Sequence, residues 1–321
     1  MLVLSPLPAC PAHEQRRAAW LERRRALERQ EERSTPDGLR RRARTPEPVK
    51  AAVRLGLKLA NLWPRGVANG IDVELRTLPI ALPRLPPSFD GYRILHLADP
   101  HFDAAPGVAD AVVRSVAGVE ADLCVLTGDF RAAEDGPFTQ TDILEPLAAI
   151  LGSVRAADGY LATLGNHDCA DMVPALEGIG LRVLLNETWC LRRRNETLTV
   201  TGLDDVHRFF TPAALAALAT HDPRSFGLVL AHSPELAGEA AAAGHLLYLC
   251  GHTHGGQLCL PGGWPVITHL SRHRDLYAGL WRCGELTGYT SRGAGLSTLP
   301  VRLNCRPEVT LLVLRRLGSR S

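Results

Sequence analysis

Five short motifs stand in order along this chain, each built from side chains that can hold a metal ion. They are Asp99-Pro100-His101, Gly128-Asp129, Gly165-Asn166-His167-Asp168, His232, and Gly251-His252-Thr253-His254. A single Asp-x-His or Gly-Asp pair carries little information, and a lone histidine after a strand is more often structural. Five in succession, each directly after an apolar run, are not explained that way. The donors are carboxylate, amide and imidazole, with no thiolate. That set suits manganese, iron or zinc better than copper, magnesium or calcium. A divalent cation in such a site acidifies bound water and polarises a phosphoryl or carbonyl oxygen, so the chemistry indicated is metal-assisted hydrolysis.

Such chemistry requires the motifs to converge, and strands must bring them together. Strand patterns at 92–98, 122–127, 160–164, 227–231 and 246–250 run into the five motifs in turn. In α/β sheets, sites form at the carboxyl ends of strands. The glycines within the motifs let the backbone turn sharply there. Helical patterns occupy 108–119, 141–154 and 212–219, and further strands are expected at 71–80, 198–202, 276–282, 285–291 and 308–314. The mixture predicts layered α/β architecture with mixed sheets, not a simple doubly wound sheet.

The ordered set D-x-H, G-D, G-N-H-D, H and G-H-x-H resembles that of the calcineurin-like metallophosphoesterases, over roughly Tyr92 to Leu314. Gly255-Gly256-Gln257, Ser291-Arg292-Gly293-Ala294-Gly295 and Arg302-Leu303-Asn304-Cys305-Arg306-Pro307-Glu308 are similar to a bacterial branch that includes membrane-associated phosphodiesterases. Some enzymes like that branch cleave UDP-diacylglucosamine. The resemblance implies a four-layer αββα sandwich, two mixed β-sheets packed together and flanked by helices. It implies that Asp99, His101 and His254 bind a first metal, that Asp129 bridges, and that Asn166, His232 and His252 complete a second site. His167 is expected to face the substrate phosphate together with Asn166, with Asp168 orienting His167. The implied activity is that of a metal-dependent phosphoric ester hydrolase. Its substrate is a phosphodiester or pyrophosphate, either lipid-linked or a small phosphorylated metabolite. Hydroxide bridging two divalent ions is the expected nucleophile, with manganese favoured and iron or zinc the alternatives.

The residue types make sense for that chemistry. Two cations about 3.5–4 Å apart need a shared anionic ligand, which a short carboxylate after a rigid strand can supply. Asn166 is neutral and limits the negative charge on the pair. His167 either protonates the leaving group or hydrogen-bonds a phosphoryl oxygen. Pro100 departs from the apolar non-proline residue common at its position and should stiffen the loop. Asp103 is either a carboxylate partner for His101 or a solvated loop residue. His96, His207, His245, His269 and His273 lack ligand spacing and read as structural or surface residues. Arg272, Arg274, Arg292 and Arg302 are weaker candidates for phosphate contact, and Glu308 reads as structural.

The chain has 321 residues, 45% hydrophobic and 22% charged, which excludes collagen-like, coiled-coil and wholly disordered classes. No apolar run reaches the length of about 18 residues needed to span a bilayer, and P-loop and G-x-S-x-G motifs are absent. Of 36 basic residues only Lys50 and Lys58 are lysines. The first fifty residues carry twelve basic and seven acidic side chains, a net +5, leaving −3 for the remainder. Residues 1–70 are therefore expected to form a basic Arg-rich helical arm and linker, and residues 71–321 the catalytic domain. Within the arm, 14–32 reads as a solvated helix with only Trp20 and Leu27 as an apolar stripe, or else as an arm that binds an anionic membrane or a partner, and 34–48 reads as a linker. Residues 51–63 read as an amphipathic helix that docks on the body or lies on an anionic membrane. The apolar start lacks the regions of a signal peptide. Eight cysteines without a C-x-x-C pair suggest reduced thiols. The expected location is cytoplasmic, with peripheral membrane attachment. Nuclease activity is a weaker alternative, because nucleic-acid binding needs a basic track and the body is net acidic. A non-catalytic scaffold is weaker still, because no ligand is missing.

Overall fold

A computed structural model describes residues 11–30, 32–41, 45–136 and 138–318. The chain opens with α1 (Pro11–Glu28), a hairpin of β1 (Glu32–Thr35) and β2 (Gly38–Arg41), and helices α2 (Glu47–Leu59) and α3 (Trp63–Gly70). There follow β3 (Glu74–Leu82), β4 (Arg93–Leu97), α4 (Val108–Val116), β5 (Glu120–Ala121), β6 (Leu123–Leu126) and α5 (Gln140–Ser153). Next come β7 (Arg155–Ala156), β8 (Tyr160–Ala162), α6 (Val173–Gly178), β9 (Arg182–Val183), β10 (Glu187–Arg193) and β11 (Glu196–Gly202). The last elements are α7 (Pro212–Ala219), β12 (Phe226–Leu230), α8 (Ala237–Ala242), β13 (Leu247–Cys250), β14 (Gly279–Cys283), β15 (Leu286–Thr290) and β16 (Glu308–Arg316).

Two six-stranded mixed sheets form the centre, in the orders β3-β16-β4-β6-β8-β9 and β10-β11-β12-β13-β15-β14. In the first, β4, β6, β8 and β9 are parallel, while β16 runs antiparallel to β4. In the second, β11, β12, β13 and β15 are parallel, with β10 and β14 antiparallel at the edges. Central strands buried on both faces need continuous apolar sequence, and β6, β12 and β13 are buried at every position. Their alternation sorts residues between layers. Ile94, Leu123, Val125, Leu228 and Leu230 fill the core between the sheets. Leu95, Leu97, Cys124 and Leu126 face α4, α5 and α6, and Val229, Tyr248 and Cys250 face α7 and α8. The expected αββα layering is what the chain forms. Strand β10 was not anticipated; it is an edge strand of mostly part-exposed polar residues, without an apolar run to mark it.

The N-terminal stretch differs from its expected form. Helix α1 is not solvated all round: Arg24 and Leu27 are buried and Trp20 packs against the core. The stretch read as a linker holds the β1–β2 hairpin, tied to the body where Ser34 N–H donates to Arg208 O and Phe210 N–H to Ser34 O. Met1–Cys10 lies outside the described residues. Among the described residues, no helix is long and apolar enough to cross a membrane, and seven cysteines are free.

Candidate metal centre

The parallel strands β4, β6 and β8 of one sheet and β12 and β13 of the other end on the same side, and the five motifs follow them. The loops are laced together by backbone bonds. Asp99 N–H donates to Gly128 O, His101 N–H to Asp129 O, and Gly251 N–H to His232 O. Tight approach explains the glycines: a Cβ on Gly128 would run into Gly165 N, and one on Gly251 into the Asp99 carboxylate. Five of the predicted ligands sit in left-handed backbone, Asp99 (φ 49°), His101 (40°), Asp129 (57°), His252 (73°) and His254 (51°). Non-glycine residues there cost about 1–3 kcal/mol each, and such strain concentrates at functional sites.

All seven predicted ligands are buried and converge on one spot. Three groupings bring ligand atoms within 4.8 Å of one another: Asp99, His101 and His254; His101, Asp129 and His167; and Asp129, His232 and His252. Asp129 is pinned through one oxygen, which accepts from His167 N–H at 2.9 Å. Its other oxygen lies 3.4 Å from His101 Nε2 and 3.3 Å from His232 Nε2. The tautomers follow from the outer hydrogen bonds. His101 Nδ1 donates to Arg131 O at 2.7 Å and His232 Nδ1 to Thr127 O at 2.8 Å. In the neutral rings both Nε2 atoms therefore carry lone pairs. His101 Nε2 faces His254 Nε2 at 3.1 Å. His232 Nε2 faces Asn166 Oδ1 at 3.0 Å and His252 Nδ1 at 3.1 Å. Lone pairs converging on both sides of one carboxylate oxygen fit divalent cations, and the neutral nitrogen and oxygen donors suit manganese, iron or zinc.

From the protein's own charges alone, the cluster is frustrated. Burial raises Asp99 to about 6 against the pull of His232, and Asp129 adds to the rise. Burial also pushes Asp129 upward, but His232 and His167 outweigh it and hold Asp129 well below the usual carboxylate range. Burial, then the neighbouring His207 and His101 respectively, keep His252 and His254 well below ordinary histidines. Both are thus neutral, as metal ligation requires. A cation would relieve the repulsion between the two carboxylates.

His167 and Asp168 are placed by different forces. The His167 ring donates through Nδ1 to Ala132 O at 2.6 Å, and burial pulls it down to about 4 against the attraction of Asp129. Asp168 does not orient that ring. Its carboxylate accepts from the backbone N–H groups of Asp129 (2.7 Å), Phe130 (2.9 Å) and Gly165 (2.8 Å), locking two motifs together. Asp103 likewise accepts from Ala132 N–H at 2.6 Å, so it supports the loop that turns His167 rather than contacting His101.

A cavity of about 720 Å³ opens over the centre, lined by Asp129, Asn166, His167, His252 and His254. Its other walls include Arg33, Thr45, Pro46, Glu47 and Lys50 from the N-terminal stretch, and His207, His269 and residues 296–300. His207 and His269, read as structural or surface residues, thus border the site; the His207 ring lies 4.1 Å from that of His252. His96 is a core histidine, bonded to Thr127 at 3.0 Å. Arg302 is buried and donates to the carbonyls of Gly295, His254 and Arg292, so it is framework and not a phosphate contact. Arg292 pairs with Glu308, and Arg272 with Glu239.

Arginines outside the five motifs also hold the site in place, among them Arg208, which donates to Asn166 O at 3.2 Å. Arg131 donates to His167 O at 2.6 Å. Arg24 of α1, 1% exposed, pairs with Asp204 and donates to Gly165 O (3.1 Å) and Asp168 O (3.0 Å), bracketing the motif that holds Asn166 and His167. No local signal marks it among the eleven arginines of the first fifty residues.

The family model described as calcineurin-like phosphoesterase matches residues 92–277. The uncharacterized metallophosphoesterase YkuE of Bacillus subtilis is 29% identical over 240 residues, which cover 72% of this chain and 82% of that protein. Phosphodiesterase YaeI of Escherichia coli is 32% identical over 233 residues, covering 70% of this chain and 82% of that one. UDP-2,3-diacylglucosamine pyrophosphatase LpxG of Chlamydia trachomatis is 24% identical over 314 residues, covering 76% and 91%.

Proposed function

Because this chain belongs to the calcineurin-like phosphoesterase family of metal-dependent phosphoester hydrolases, we propose that it cleaves a phosphodiester or pyrophosphate bond at a two-metal centre. The observation that carries the reading is the pair of lone-pair clusters flanking Asp129 Oδ2. On this reading Asp99, His101 and His254 would hold one cation, and Asn166, His232 and His252 the other, with Asp129 available to both. Manganese is the first candidate, ahead of iron and zinc. When bound, such cations supply Lewis acidity and lower the pKa of water.

The chain's own groups do the positioning. Asn166 and His167 line the cavity where a phosphoryl group enters. His167, its ring held by Ala132 O, hydrogen-bonds a phosphoryl oxygen or gives a proton to the leaving oxygen. Asp168 acts on the backbone of both motifs, as a positioning residue. Residues 71–321 carry every proposed ligand, and residues 1–70 add one wall of the cavity.

The cavity volume leaves room for far more than one phosphate. That, and the names of the relatives, support a lipid-linked substrate or a small phosphorylated metabolite. An anionic membrane surface is the partner a lipid-linked substrate implies, with the protein attached peripherally. The test is to measure the metal content of the purified protein and the hydrolysis of bis-p-nitrophenyl phosphate with manganese. Failure to bind metal, or full activity in Asp129→Ala, overturns the reading.

A further inference from the structure

We propose that α2 and the 260–267 loop form a docking face for an anionic lipid bilayer beside the mouth of the cavity. The proposal builds on the function above in one respect, that a bilayer is where a lipid-linked substrate resides.

Helix α2 has a broad apolar arc and little cover. Its thirteen residues include no buried one. At about 100° per residue, Val49, Ala52, Val53, Leu55, Leu57 and Leu59 spread over an apolar arc of roughly 200°. Only Val53 and Leu57 are half-buried; Val49, Leu55 and Leu59 are 48%, 59% and 79% exposed. A helix in a soluble protein turns its apolar stripe inward. Here, among the described residues, most of the stripe faces outward. Lys50, Arg54 and Lys58, at i, i+4 and i+8, form a basic line along one border of the arc, and they include both lysines of the chain. An apolar face flanked by a basic stripe is the composition of a helix lying in the interface of an anionic membrane.

A second apolar group is linked to α2 through residues 301–304 and α3. Leu260, Trp264, Val266 and Ile267 are 59%, 69%, 63% and 52% exposed. Their loop is fastened to residues 303–304, where Cys259 N–H donates to Leu303 O and Asn304 Nδ2 to Cys259 O. Helix α3, which follows α2, packs its Gly66 against Val301 and Leu303 of the same segment. A tryptophan is suited to the membrane interface, where an apolar ring and a polar N–H are both satisfied. The cavity is bordered by Pro46, Glu47 and Lys50 at the start of α2 and by residues 297–299, and Gln257, just before the loop, donates through Nε2 to Ser297 O and Leu299 O of that second wall. The basic stripe selects an anionic occupant, and its position at the cavity mouth favours a surface that presents substrate over a second copy of the chain or an unrelated protein.

Flotation with phosphatidylcholine vesicles, with and without 30 mol% phosphatidylglycerol, tests this on the full chain. The wild type should float with the anionic vesicles and be released by high salt. Leu55→Glu/Leu59→Glu should reduce vesicle binding at least about tenfold, with hydrolysis of soluble bis-p-nitrophenyl phosphate unchanged. No flotation at low salt, or equal flotation of the double variant, overturns the proposal. So does a wild-type dimer that the double variant makes monomeric without any vesicle binding, because the face then joins two copies. Loss of flotation on deleting residues 1–10 alone would assign binding to that segment instead. The two readings fail separately: a hydrolysing protein that does not float removes only the docking face, and a floating protein without hydrolysis removes only the enzymatic reading.

Discussion

Helices α1 and α2 leave the same basic N-terminal stretch and end in opposite environments. Helix α1 is crowded with charge and has a thin apolar stripe, yet it docks. Trp20 donates to Asp204 at 2.9 Å, Arg17 pairs with Glu177 and Glu187, and Arg24 is buried over the Phe209 ring. Helix α2 has a broad apolar arc and buries nothing. Apolar periodicity therefore tells which face of a helix seeks cover, but not whether the fold supplies it. Helix α1 is held by acceptors about 140–185 residues away in sequence, and α2 meets no comparable partner among the described residues. The first helix belongs to the scaffold of the site, and the second to its surroundings.

That contrast can be broken or sharpened by experiment. The largest effect lies in the centre that both helices border. Asp129→Ala should lower diester hydrolysis by about 10³-fold or more, because on the proposed reading both metal positions would lose their shared ligand; steady-state kinetics with manganese check it. Arg24→Ala comes next. It removes the counter-charge of the buried Asp204 and frees two carbonyls of the Asn166–His167 motif, and should cost about 3–5 kcal/mol in denaturant unfolding. Activity should fall by about 10–100-fold, as when the support of a metal ligand is removed. Arg24→Lys should recover part of the stability and little of the activity, because one ammonium cannot span acceptors on both sides. A wild-type profile in Arg24→Ala would erase the distinction between the helices.

A smaller effect separates the sandwich from both helices. Burial holds His96 down to about 4, against a weak pull from Glu308. The folded pKa lies below the unfolded value, so this contribution to stability is fully present above about pH 6.5 and is lost as pH falls towards 4. Over that window His96 should account for up to about 3 kcal/mol of acid destabilisation, and His96→Gln should flatten the curve. The smallest effect is expected on α2. Leu55→Ala should change folding stability by less than about 0.5 kcal/mol, as for an exposed position without partners. A loss of several kcal/mol in thermal unfolding would mean that the arc is covered.

The convergence of the candidate ligands was largely legible in the sequence because its signals are local. A buried parallel strand needs an uninterrupted apolar run, and the residues that follow it are the ones presented at the sheet edge. The strands before Asp99, Asp129, Asn166, His232 and His252 were read in this way, with ends within a few residues of β4, β6, β8, β12 and β13. The role of Asp168 was not legible, because a carboxylate that accepts from backbone has the same sequence appearance as one that orients a ring. The β1–β2 hairpin was missed because its arginine-rich strands carry no apolar alternation, and its anchor is Phe210, far along the chain. His207 has no ligand spacing in the sequence, yet folding brings its ring to 4.1 Å from that of His252.

The sequence by itself determined the candidate donors, their order along the chain and the two-sheet framework that presents them. Those depend on side-chain chemistry and on short-range backbone preferences. Only the tertiary structure decided that Arg24 is framework, that Asp168 acts through the backbone, and that α1 is covered while α2 is not. Burial of a charge is stable only where distant groups pair with it. Cover for an apolar face likewise depends on what lies opposite, and neither condition is written into the local pattern.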